Sequence, residues 1–224
     1  MIAARSEPRF EKCLFLELEP KSVSALKARI EPYRERCSAH EGDVNKDLVR
    51  LVRAEISARA PCLVLLDPEG PDLHWSTVTG LAGLPGRNRQ PELLILFPLD
   101  MALLRMLPTS GEISERDVVR VSAMFGDERW QQIYEAKLRR ELQAGEAKQQ
   151  YLDLYKRNLE NLGYKVETKL IAARARPGTG RGRREMYHLM FATQHPNGLK
   201  IMEDVFRRAY VLDVSITEQR PLFE

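Results

Sequence analysis

Five apolar residues in a row, Cys62 to Leu66, stop at an Asp-Pro turn in PCLVLLDPEG, residues 61–70. A short uninterrupted apolar run closed by turn residues is the pattern of a strand buried on both faces, as in a parallel sheet covered by helices. ELLILFP at 92–98 repeats it. Two earlier stretches fit the same plan: the apolar run KCLFLELE at 12–19, ending in acids, and the short strand of CSAHEGD at 37–43, ending in a glycine turn.

Amphipathic helices separate these strands. Val23, Leu26, Ile30 and Tyr33 recur at helical spacing over 21–36, and Val44, Leu48, Leu51, Val52 and Ile56 do so over 44–59, with Asp43 placed to cap the second helix. Further helices are expected at about 74–83 and 99–107. The segment 109–146 changes character: it is charged, helical in period, and carries Phe125, Trp130, Ile133, Tyr134 and Leu138. It reads as a helical insertion of two helices before a long helix at 149–163, which Gly163 closes as a left-handed cap. Strands at 164–173 and 185–193 follow, joined by RARPGTGRGRR, then a helix at 196–209 and an irregular docking tail at 211–224. Strands alternating with helices predict an α/β fold with a mostly parallel sheet. The last two strands, joined by a loop too short for a crossover helix, must be antiparallel. The organisation expected is one α/β domain from 1–108 and 147–210, interrupted by 109–146.

Composition narrows the class. At 43% hydrophobic and 30% charged residues the chain is globular, and a net charge of +3 creates no global field towards nucleic acid or membrane. No apolar run approaches the length of a membrane span, and the first twelve residues lack the apolar segment of a secretory signal. Cys13, Cys37 and Cys62 are too scattered for a local metal motif; they read as buried free thiols of a cytoplasmic protein, with a site shared with His40 as the remote alternative.

The pieces FLELEP, EGDVN, LVLLDPEG, LLILFP and YLDLYKRNLENLGY, and above all MYHLMFATQHPNGLKIM, resemble the three-Cys-motif partner family (TcmP), from about residue 10 to 206. That family is similar to class I S-adenosylmethionine-dependent methyltransferases, so the resemblance implies a Rossmann-like, methyltransferase-like sheet with a C-terminal antiparallel strand. It also implies S-adenosylmethionine as cofactor and a separate three-Cys-motif protein as partner. One departure stands out. The family begins with a strand and a glycine-bearing turn ahead of the segment matching FLELEP, and here the ten or so preceding residues contain no glycine. In the methyltransferase order that strand is central. Omitting it strips about three core side chains at roughly 1.5–3 kcal/mol each and exposes two rows of backbone groups. The expectation is that the chain is truncated or that its sheet closes differently.

Ligands of an open parallel sheet bind beyond the carboxyl ends of its strands. Glu17 ends the first strand; by the family pattern it would accept from the cofactor ribose hydroxyls, with Glu19 able to substitute, and the other reading of both is a solvated strand end. Asp43 would by resemblance bind the adenine amino group, or cap a helix with no ligand. Asp67 would orient a methyl acceptor and help its proton leave, or cap its turn; Pro68 and Gly70 shape that turn, with Glu69 and Asp72 as less certain neighbours. Trp75 would stack on a planar base or fill core. Arg174, Arg176, Arg181, Arg183 and Arg184 carry enough charge that without them +3 becomes −2. They would grip phosphates of a nucleic acid or nucleotide, or form a solvated hairpin tip. His188 and His195 read as structural. No Walker loop or zinc spacing is present. The functions left are a methyltransferase, a non-catalytic adaptor that keeps the fold and docks through 109–146, and, last, a nuclease.

Overall fold

The computed structural model describes residues 2–86, 89–173 and 184–208. Two compact units divide the chain: 1–62 with 73–90, and 63–72 with 91–224.

The first unit opens with the short helix α1 (Ile2–Arg5), not with a strand. β1 (Cys13–Glu17) pairs in parallel with β2 (Cys37–Glu41), Cys13 opposite Cys37 and Glu17 opposite Glu41. Between them lies α2 (Pro20–Ile30), with proline in its first turn, where a missing N–H costs nothing. The helix stops earlier than the expected residue 36. Pro32 has no N–H to continue the helical ladder, and the chain tightens into a 3-10 turn at Glu31–Tyr33. α3 (Val44–Glu55) and α4 (Trp75–Ala82) complete the unit. They approach closely: a Cβ on Gly80 would lie 3.0 Å from Val49. Asn45 Oδ1 accepts from both the His74 N–H and the Thr77 hydroxyl, each at 2.9 Å, which ties the two helix starts together. Ala4, Cys13, Ile30 and Cys37 form the unit's core cluster. Cys13 and Cys37 are buried free thiols, and burial, then the neighbouring Cys37, pushes the Cys13 thiol above its ordinary range.

The second unit holds β3 (Leu63–Leu66), β4 (Glu92–Phe97), a π-helical turn (Leu99–Leu103) and α5 (Leu104–Met106). Next come α6 (Glu115–Phe125), α7 (Arg129–Leu138), α8 (Ala144–Asn161), β5 (Lys165–Ala173), β6 (Arg184–Thr193) and α9 (Pro196–Arg208). The strand order is β3-β4-β6-β5, parallel between β3 and β4 and antiparallel on both sides of β6. α8 starts before residue 149 because Glu146 reaches back to accept from the Gln143 N–H at 2.7 Å. It ends at the expected place, with Gly163 at φ 90°. Register puts Leu66, Ile95, Phe97 and Met190 on one face of the sheet. There Phe97 meets Tyr155 of α8 at 4.7 Å and Phe125 of α6 at 6.3 Å between ring centroids.

The fold is therefore α/β with parallel strands and a C-terminal antiparallel strand, and among the described residues no strand precedes β1. Residues 2–12 supply no strand, and β1–β2 and β3-β4-β6-β5 are separate sheets. One expectation is corrected. β3 is buried on one face only: Val64 and Leu66 are inside, while Leu63 and Leu65 are 43% and 61% exposed. It is an edge strand, so its apolar run marks a surface rather than a centre. β4 also alternates, with Leu93, Ile95 and Phe97 buried and the residues between them half-buried.

Candidate functional site

In the first unit the acids gather at the carboxyl edge of β1 and β2. Gly42 follows β2, and its N–H donates to the Glu17 carbonyl at 3.0 Å, which brings the two strand ends together. The turn is tight: a Cβ at Gly42 would lie 2.8 Å from Asp47 Oδ2 and 3.0 Å from Leu16, so a larger residue would push those side chains aside. Glu17, Glu41, Asp43 and Asp47 thus share one rim. Glu17 turns back on its own chain, Oε1 accepting from the Leu18 and Glu19 N–H groups at 2.9 and 3.2 Å. Glu19 stands at the N-cap position of α2, exposed and without a side-chain capping bond. Asp43 caps α3 by accepting from the Asn45 N–H at 2.8 Å, with Lys46 Nζ 3.2 Å from its other oxygen. That backbone bond, then Lys46, holds the Asp43 carboxyl below its usual range. Trp75 is the first residue of α4, half-buried.

Capping predicts a measurable loss. Asp43→Ala is expected to cost about 1 kcal/mol. A depressed carboxyl pKa contributes stability above the unfolded value of about 3.9 and loses it as pH falls through the folded value. The difference between the two proteins in urea unfolding should therefore be full at pH 7 and shrink below about pH 4.

In the second unit, β3, β4 and β5 run in one direction, so their carboxyl ends and the start of β6 share an edge. Asp67 follows β3 there. It is accessible as a residue, yet enough protein surrounds the carboxyl that burial, then the charge of Glu69, raises its pKa. Tyr187 of β6 lies on the same sheet face by register; burial, then the charge of Asp67, raises its phenol pKa. Pro68 is half-buried and Gly70 buried in the turn. Arg120 of α6 pairs with Asp72 at 2.6 Å and lies 3.7 Å from where a Gly70 Cβ would stand.

On the opposite face, after β4, Asp100 is only 10% exposed and bonds Lys148 of α8 through Oδ1. Its Oδ2 lies 3.7 Å from His188 Nε2, sealed from solvent and without a hydrogen bond among the described residues. A sealed carboxylate oxygen without a donor is a costly arrangement. His195 serves the start of α9: its N–H donates to Thr193 and its Nδ1 accepts from the Asn197 N–H at 3.1 Å. Arg174, Arg176, Arg181 and Arg183 lie outside the described residues. Arg184 begins β6 opposite Ala173, the last residue of β5, at the edge that Asp67 shares.

The structure therefore places Glu17 and Asp43 on one rim of the first unit, and Asp67, Pro68 and Gly70 at the carboxyl edge of the second. Sequence reasoning missed Asp100, Lys148, Arg120 and Tyr187. Asp100 follows β4 much as Asp67 follows β3, so the strand-end rule applied to LLILFPLD could have found it. No sequence signal marks its partners. Among the described residues no group of three histidine, cysteine or acidic side chains could hold a metal, and no helix is long and apolar enough to cross a membrane.

Asp67 gives a prediction of opposite sign to Asp43. A raised carboxyl pKa means that the fold disfavours the charged form, so a penalty appears as pH rises through the folded value and is absent below the unfolded one. Asp67→Asn is expected to raise the urea midpoint at pH 7 and to leave it unchanged at pH 3.

No family model matches the chain, and no curated protein sequence matches it. Among solved structures it is similar to precorrin-6y C5,15-methyltransferase from Geobacter metallireducens GS-15, at 10% identity and a TM-score of 0.38. The match covers 81% of this chain, and the chain spans 66% of that protein, just under two thirds of its length.

Proposed function

We propose that this chain works on the methyltransferase plan, taking S-adenosylmethionine and directing methyl transfer to a nucleic-acid acceptor, in company with a three-Cys-motif protein. The observation that carries the reading is the placement of acids at the carboxyl ends of parallel strands, Glu17 and Asp43 in one unit and Asp67 in the other. The donor set suits the cofactor. A carboxylate such as Glu17 or Glu19 can accept from two vicinal ribose hydroxyls, and Asp43 can accept from an adenine amino group. S-adenosylmethionine, when bound, supplies an electrophilic methyl group on a sulfonium. Asp67 orients the acceptor, and its raised pKa lets the carboxylate take a proton nearer to neutrality than an ordinary aspartate. Pro68 and Gly70 hold that carboxylate at the strand end. Trp75 offers a ring for a planar base, and Arg181, Arg183 and Arg184 offer phosphate contacts.

The test is transfer of labelled methyl from S-adenosylmethionine to pooled RNA and DNA by the full chain, with and without its partner. Transfer lost in Asp67→Ala supports the reading; absence of transfer under all conditions counts against it.

A second reading, a non-catalytic adaptor that keeps the fold, is favoured by one observation: Glu17 closes on the Leu18 and Glu19 amides. Partner or nucleic-acid capture that survives Asp67→Ala and Glu17→Ala but is lost without 109–146 would favour it.

A further inference from the structure

Cys13 and Cys37 stand directly opposite each other as the first residues of the parallel pair β1 and β2. Register puts their side chains on one face of the sheet, and both are buried in one cluster with Ala4 and Ile30. Both thiols are free. Neighbouring strands lie about 4.8 Å apart, inside the Cα separation of about 4.4–6.8 Å that a disulfide spans. The third cysteine, Cys62, belongs to neither strand.

Their place at the strand starts matters. A disulfide draws its two Cβ atoms to about 3.8 Å, closer than the strand spacing holds them, so one backbone must give. Cys13 follows the irregular residues 6–12, and Cys37 follows the turn at 34–36, so neither is clamped by strand on both sides. A bond closed this way carries strain, and strained disulfides are the readily reduced ones.

α1 covers the pair. The Cys13 thiol lies 3.9 Å from the Ala3 carbonyl, and Ala4 is fully buried in the same cluster. Arg36, the residue before Cys37, holds this cover by donating to the Ala4 and Phe10 carbonyls. The same guanidinium favours the Cys13 thiolate, against the effect of burial. A four-residue helix held this way lifts at small cost compared with the sheet beneath it, and lifting it uncovers Cys13.

We propose that Cys13 and Cys37 form a reversible oxidation site, closing to a disulfide when the chain meets hydrogen peroxide. One thiolate attacks a peroxide oxygen, the O–O bond breaks, and a sulfenic acid forms with release of water once a proton is taken up. The second thiol displaces the sulfenic hydroxyl, which leaves as a second water while the S–S bond forms. Two thiols and one peroxide thus become one disulfide and two waters, two electrons passing from sulfur to oxygen. Two molecules of a thiol such as glutathione reverse the step by exchange and leave as their own disulfide.

The test is mass analysis of the full chain carrying Cys62→Ser, treated with hydrogen peroxide while folded and then blocked with N-ethylmaleimide in denaturant. The expected product is two hydrogens lighter and takes up no maleimide, and trypsin releases residues 13–21 linked to 37–46. Millimolar reduced glutathione is expected to return two maleimide-reactive thiols. Cys13→Ser and Cys37→Ser are each expected to give no link and to carry added oxygen on the remaining sulfur. Circular dichroism checks that Cys62→Ser folds, and the unsubstituted chain gives the same tryptic readout if it does not. Thiols untouched at a dose that fully oxidises free cysteine overturn the proposal. So does oxygen added to either sulfur without a link, a link that forms only in urea, or one that glutathione does not reverse. The pair lies at the amino ends of β1 and β2, away from the rim of Glu17 and Gly42, so the outcome is independent of the methyltransferase reading.

Discussion

Phe97→Ala is expected to destabilise the second unit by about 3–5 kcal/mol, the largest effect of any single truncation proposed here. Phe97 is fully buried at the end of β4. Its ring meets Tyr155 at 4.7 Å and Phe125 at 6.3 Å, so the sheet, α8 and α6 all rest on it. Tyr151, itself fully buried, stands 6.2 Å from Phe125 and bounds the same cluster. Removing the ring leaves a cavity that three aromatic neighbours on two helices cannot collapse to fill. Trp130 is buried in this unit and Trp75 belongs to the other. Urea unfolding followed by tryptophan fluorescence in a Trp75→Phe background therefore reports the second unit alone. With a urea slope of about 2 kcal/mol/M, the midpoint should fall by roughly 1.5–2.5 M. A fall under half a molar would mean that the aromatic cluster does not hold the sheet to its helices.

Lys148→Met is expected to cost about 3 kcal/mol, near the lower end for breaking one side of a buried ion pair, because Lys148 keeps 32% of its side chain exposed. The loss comes from the partner. Asp100 is nine-tenths buried, and its Oδ2 already lacks a hydrogen bond among the described residues. Without the ammonium the carboxylate keeps, among the described residues, His188 at 3.7 Å. Asp100→Asn in the same chain should restore most of the stability, since a neutral amide needs no counter-charge. A cycle of the two single variants and the double variant in urea measures this coupling; additive losses would show that the two residues act separately.

Features set by neighbours in sequence were legible before the structure. Asp43 ahead of an amphipathic run is a helix cap, and the Asn45 bond is local chemistry that the sequence carries. Gly163 at the end of a periodic helix is a left-handed closure, as its φ of 90° bears out. The antiparallel pairing of β5 with β6 followed from the length of their connection. β3 was harder to read. LVLL has the same composition whether a strand is central or at an edge, and what differs is the strand beside it, which lies elsewhere in the chain. Asp100, Lys148 and His188 come together only through the strand order and the direction of α8, so their separation in sequence hides them. The acids at strand ends could be named, but the orientation of each carboxylate could not: Glu17 folding onto Leu18 and Glu19 depends on backbone angles that spacing does not fix.

A calorimetric titration of the full chain with S-adenosylhomocysteine tests most directly whether the rim around Gly42 takes an adenosyl group. The expected result is saturable heat from one site, with Glu17→Ala and Asp43→Ala each weakening binding about tenfold or more, equivalent to about 1.4 kcal/mol. No heat up to millimolar ligand, or binding indifferent to both substitutions, would contradict it.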